Sequence, residues 1–173
     1  MISQRIQDAM NEQIKHETFS AYLYFSMAAY FHSKSLDGMA QWMKAQAQEE
    51  FGHALRLFNH INDRGGRIEL QALDKPQAEW ESPVDAFKAA LEHEVFITGK
   101  INDLAKLADE ENDRAAGIML QWFVTEQVEE EDSVSTVIDM LELIGDSGHG
   151  VLMANRELGT RVAGPILPPE EVA

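Results

Sequence analysis

Six residues suited to metal chemistry interrupt helical patterns that are otherwise apolar: Glu17, Glu50 with His53, Glu94, and Gln127 with Glu130. Glu50 and His53 stand three apart, so on a helix they leave one face about one turn from each other, and the same holds for Gln127 and Glu130. The spacing from Glu17 to Glu50 equals that from Glu94 to Gln127. Each half of the chain therefore offers one Glu on a first helix and an i, i+3 polar pair on a second, the pattern of two related helix hairpins.

Burying one unpaired carboxylate costs several kcal/mol, and converging carboxylates also repel one another. They need protons or a positive partner. No Lys or Arg occupies these patterned positions. Two divalent ions would balance the four Glu charges, with His53 as a neutral nitrogen ligand. A set that is mostly carboxylate, with one imidazole and no sulfur, suits iron(II) or manganese, disfavours a structural zinc site and is richer in nitrogen than magnesium requires. The competing reading is a polar layer that specifies bundle register, which normally uses one or two neutral residues rather than four acids.

The elements that must carry these residues are long helices. From about Ile2 to His32, Met10, Ile14, Glu17, Ala21, Tyr24, Ala28 and Phe31 recur at alternating steps of three and four. A second helix reaches about Arg64, with Ser35 as its candidate N-cap and Met39, Met43, Gln46, Glu50, His53 and Leu57 along its seam. Gly65 and Gly66 end it. Ser82-Pro83-Val84-Asp85 opens a third helix with a cap, a Pro in the first turn and a capping-box acid. Its seam is Phe87, Ala90, Glu94, Ile97, Ile101, Leu104 and Ala108. After the turn DEEND at 109–113, a fourth helix places Leu120, Phe123, Gln127, Glu130, Val134, Val137, Leu141 and Ile144 on one face. GDSGHG stops it, and a short fifth helix follows.

Short links make helices one and two, and three and four, antiparallel neighbours. The link from Gly65 to Glu81 spans roughly 55 Å when extended, against about 40 Å for the second helix, so it can return along the whole bundle. The expected fold is all-α: an antiparallel four-helix bundle with one long crossover and a short C-terminal fifth helix. The chain reads as one domain, with the bundle at about 2–144, the fifth helix at about 149–162 and a tail at 163–173.

Composition narrows the function classes. The formal charge of −16 argues against nucleic-acid binding, which relies on Lys and Arg meeting phosphates, and makes cations the likelier clients. There are no cysteines, which removes disulfides and thiolate metal sites. No apolar run approaches the roughly 20 residues needed to span a bilayer, and the opening residues lack signal-peptide order, so the cytoplasm is the expected compartment.

At HETFSAYLYFSMA, WMKAQAQEEFGHA, EWESP, LEHE and QWFVTEQVEEE the chain resembles the bacterial and archaeal non-haem ferritins over nearly its whole length. Their ferritin-like dimetal-carboxylate bundle is a known example of this ligand arrangement. The resemblance implies that Glu17, Glu50 and His53 hold a first iron, and that Glu50 bridges to a second held by Glu94 and Glu130, with Gln127 beside it. It implies a third iron site from Glu49, Glu126 and Glu129 with Glu130 shared, a tyrosine close to the centre at Tyr24, and an aromatic neighbour at Trp122. It further implies a homo-oligomeric cage of 24 subunits, with the fifth helix lining four-fold axes, that oxidises Fe(II) with O2 or H2O2 and stores Fe(III) as mineral.

Phe51 stands where bacterioferritins place a haem-ligating Met directly after the Glu, so no haem of that type is expected. Two rivals stay open. One is a dimetal oxidase or peroxidase without mineral, with a pocket walled by Tyr22, Tyr24 and Trp122. The other is a structural helical assembly whose acids bind no redox metal. Asp109, Glu110, Glu111 and Asp113 form a candidate acidic route for iron, against the reading of a solvated turn.

Overall fold

The computed structural model describes residues 1–145 and 147–164; the expected tail beyond Gly164 lies outside them. Five helices form the described fold: α1 (Gln4–Ser33), α2 (Asp37–Asp63), α3 (Pro83–Glu110), α4 (Arg114–Ile144) and α5 (Gly148–Leu158). Each of the first four buries the seam its periodicity predicts, apart from half-buried Ile144 at the end of α4. The expected four-helix bundle is the one that forms.

The helix ends follow local chemistry. Ser82 Oγ accepts from Asp85 N–H and donates to Asp85 Oδ2, with Pro83 opening the first turn of α3. Asp113 accepts from Ala116 N–H and caps α4. Gly65 ends α2 with φ +70°, a left-handed position that a side chain would strain.

The start of α2 differs from expectation. Ser35 is not its cap: it sits in the turn at φ 58°, and Leu36 precedes the helix without a side-chain bond. The cap comes from α5, where Asn155 Oδ1 accepts from Met39 N–H at 3.0 Å. The approach is close enough that a Cβ on Gly38 would lie 1.6 Å from the Asn155 carbonyl oxygen, so only glycine fits. The fifth helix also stops at Leu158 rather than near residue 162, ended by Gly159.

The crossover runs along α1 from one end to the other. Asn11 donates to Arg67 O and accepts from Glu69 N–H, Ser26 donates to Gln77 O, and Trp80 packs edge-on against Tyr30. The chain is thereby carried back to the end where α2 began, and α3 runs antiparallel to α1.

The apolar core is in two parts. One surrounds Met27, Phe31, Trp42 and Phe87, and the other Ile6, Leu57, Ile97 and Phe123. Between them lies a layer of buried Glu17, Gln46, Glu50, His53, Glu94, Gln127 and Glu130.

Candidate metal centre

The helical seams bring this layer to mid-bundle from four directions. Carboxylate and imidazole atoms of Glu17, Glu50 and His53 lie within 4.8 Å of one another, and so do those of His53, Glu126 and Glu130. His53 therefore stands between two groups. Its Nδ1 is 3.4 Å from Glu50 Oε2 and 4.0 Å from Glu17 Oε2, close enough for charge attraction without a hydrogen bond. Glu94 completes the layer from α3: Tyr24 Oη donates to its Oε1, and Gln127 Nε2 donates to its Oε2 at 3.3 Å.

Three neutral amides hold the carboxylates in place. Gln13 donates to Glu17 Oε1 at 2.8 Å. Gln46 donates to Glu50 Oε1 at 3.0 Å and to Glu130 Oε2 at 2.5 Å, tying α2 to α4. Gln127 also donates to Thr98 Oγ1, which in turn donates to Glu131. Glu131 is thus engaged with α3. Sequence reading placed Gln46 on the seam without assigning it work, and Gln13, four residues before Glu17, was missed. The available signal was their helical spacing from a buried acid.

The electrostatics show how the layer is tolerated. Burial, reinforced by Glu50, pushes the carboxyls of both Glu17 and Glu130 up to about 8. Glu94 is driven well above the usual range by burial and then by Glu50 and Glu130. Burial also pushes Glu50 upward, but His53 and Gln46 outweigh it and hold Glu50 below its ordinary value. His53 is pushed down by burial and pulled up more strongly by Glu50, Glu17 and Glu130, to about 10. Tyr24 remains a phenol, raised first by burial and then by Glu94. Without metal, protons on three glutamates and on His53 substitute for cations.

The two carboxylate-imidazole groups are of the chemistry that holds a divalent cation. Glu17 Oε2, His53 Nδ1 and Gln46 Oε1 are buried without a hydrogen-bond partner among the described residues. Buried polar atoms left without partners in a carboxylate layer mark where a cation would take the place of the protons. Trp122 packs edge-on to His53 at 5.4 Å, with Arg56 over its face at 4.0 Å.

Other singled-out residues lie differently. Glu126 is half-buried and Glu129 exposed, while Glu49 is turned to Arg161 and Gly164. Tyr22 is about half exposed, so it walls no buried pocket. In the acidic run, Glu110 and Glu111 pair with Arg5, and Asp113 pairs with Arg64 at 2.8 Å while capping α4. Those three acids have structural partners.

Residues 7–144 match the ferritin-like domain family. The chain is 38% identical over 161 residues to a bacterial non-heme ferritin of Staphylococcus aureus (strain MRSA252), covering 93% of this chain and 97% of that one. It is also 38% identical to a bacterial non-heme ferritin of Bacteroides fragilis (strain 638R), covering 93% and 100%. Among solved structures, an open pore ferritin from Archaeoglobus fulgidus superposes with a TM-score of 0.93 at 44% identity, covering 94% of this chain and all of that one. A carboxylate layer at mid-bundle, a crossover that returns along α1, and these likenesses over nearly the whole chain place it in the ferritin family.

Proposed function

We infer that the protein stores iron: it oxidises Fe(II) at a paired site inside each subunit and deposits Fe(III) as mineral within a hollow, cytoplasmic assembly of 24 copies. The observation that carries this reading is the convergence of four buried glutamates and one histidine, with orphaned oxygen and nitrogen atoms and no Lys or Arg among them.

In this reading Glu17, Glu50 and His53 hold one Fe(II), and Glu50 bridges to a second held by Glu94 and Glu130, with Gln127 beside it. Each ion yields one electron. O2 accepts two electrons together with two protons and leaves as hydrogen peroxide, so superoxide is avoided. Binding two cations displaces the protons on the carboxyls and His53, which keeps the local charge near balance. Tyr24 orients Glu94 through its donated hydrogen bond. A third Fe(II) binds outside the pair at Glu49, Glu126 and Glu129, with Glu130 shared.

Assembly has support on the subunit surface. Phe25, Leu70 and Ile118, and Leu152 with Met153 on α5, are large apolar residues left more than half exposed by the subunit alone, and copies of the chain would cover such positions. Among the described residues no helix is long and apolar enough to cross a membrane.

The test is aerobic Fe(II) titration of metal-free protein, followed by size-exclusion chromatography with iron counted in each fraction. Storage predicts iron co-eluting with a large shell, far beyond a few ions per subunit. Saturation at two or three ions per subunit would replace storage with the oxidase reading.

A further inference from the structure

The third site proposed above needs Glu49, yet both carboxylate oxygens of Glu49 are taken. Arg161 Nη2 donates to Oε2, and Gly164 N–H donates to Oε1 at 3.3 Å. The four residues 161–164 that follow α5 lie along α2 in a built seat. Gln41 Nε2 donates to Arg161 O at 3.4 Å, Gln48 Nε2 donates to Gly164 O at 3.2 Å, and the Arg161 guanidinium stacks on buried Trp42 at 4.3 Å. Two side chains of α2 thus clamp the backbone, and a third positions the charge. The Arg161–Glu49 pair is itself mostly covered, at 21% and 24% exposure. Gly159 and Thr160 join this arm to α5, and Arg161 N–H donates back to Leu158 O at 3.3 Å.

We propose that Arg161 sets the ion count of the subunit: its guanidinium is the built-in counter-cation of Glu49, and a third divalent ion binds only by displacing the 161–164 arm. The proposal rests on the third-site reading given above. With the arm docked, the outer site keeps Glu126, Glu129 and Glu130 but lacks the α2 carboxylate. A cation arriving there must break an ion pair and a backbone hydrogen bond before it gains a ligand. The paired site is untouched, because Glu50, the next residue, faces the bundle interior and makes its bonds to Gln46 and the His53 charge. Arg161 is therefore a specificity-determining residue for how many Fe(II) ions bind, and it takes no part in holding the first two.

The experiment is anaerobic Fe(II) binding by equilibrium dialysis, so that no oxidation occurs, on assembled wild-type protein, Arg161→Gln and Glu49→Gln. Hydrogen exchange of residues 159–164 is followed at each ion loading. In wild type the third ion should bind more weakly than the first two, and exchange across 159–164 should accelerate only as it binds. Arg161→Gln should tighten the third ion roughly threefold to tenfold, the scale of a partly covered ion pair, and leave the first two unchanged. Glu49→Gln should weaken or abolish the third alone. Should Arg161→Gln not assemble, Gln48→Ala loosens the same arm from its other end and should shift the third ion in the same direction. A third affinity identical in wild type and the arm variants, or exchange that ignores the third ion, overturns the role of Arg161 while leaving the site standing. A third ion absent from every form, the arm variants included, overturns the site and the proposal with it. Loss of the first two ions in Glu49→Gln would instead indict the paired-site assignment.

Discussion

Replacing Glu17 by Gln should make the metal-free protein more stable while removing a ligand of the first iron. Glu17 is fully buried, and its carboxyl is raised from 4.5 to about 8 by burial and by Glu50. At pH 7 the folded chain keeps a proton that the unfolded chain has shed. A group raised on folding contributes stability that is fully present below its unfolded value and is lost as pH climbs through the folded one. The cost of keeping Glu17 folded is therefore absent near pH 4.5, grows with pH, and levels off above about pH 8. At about 1.36 kcal/mol per pH unit, it reaches about 3 kcal/mol at pH 7. Gln has nearly the shape of the protonated acid and never ionises, so Glu17→Gln should recover most of that amount at pH 7 and almost none at pH 4.5. For a chain of this length the gain corresponds to a rise of about 6–12 °C in melting temperature. The assay is thermal unfolding of metal-free wild type and variant at matched concentration across pH 4.5–8, with chelator present. A variant no more stable than wild type at pH 7, or a gain that is the same at every pH, would refute the claim that protons hold the layer together.

Other consequences concern protons, ligands and caps. Metal binding at pH 7 should release up to about four protons per subunit, from Glu17, Glu94, Glu130 and His53, measured by pH-stat during anaerobic Fe(II) addition; release of fewer than one per subunit would contradict the charge assignment. Ala at Glu50 or at Glu94 should abolish rapid Fe(II) oxidation in stopped-flow while the assembly persists on a sizing column, and unchanged rates in both would remove the paired site from the mechanism. Asp113→Ala should cost about 1–2 kcal/mol, because it removes both the α4 cap and the Arg64 partner. It should leave the initial rate of iron uptake unaltered, and a slowed uptake would restore the acidic run as a route for iron.

Most of the bundle was legible because helical periodicity and burial are the same fact seen twice. Met10, Ile14 and Glu17 share a face in sequence, and all three are buried in the fold. The acids were legible because an unpaired carboxylate on such a face is costly enough to need a reason. The start of α2 was not, since Ser35 is the residue type that caps helices while the actual acceptor is Asn155, distant in sequence and brought in by α5. The partner of Glu49 was hidden on the same ground. The resemblance marks Glu49 as a third-site acid, and the Arg161 that pairs with it in the metal-free subunit approaches from the C-terminal arm, far away in sequence.

The sequence by itself determined the helices, their seams, the length of the crossover and the four glutamates with one histidine, because each follows from spacing along a single helix or from the reach of the chain. Tertiary structure alone decided that Gln46 ties Glu50 to Glu130, that His53 stands between two carboxylate groups and that Glu49 pairs with the Arg161 guanidinium. These are contacts between elements far apart in the chain, and their distances and charges exist only once packing has set helix against helix.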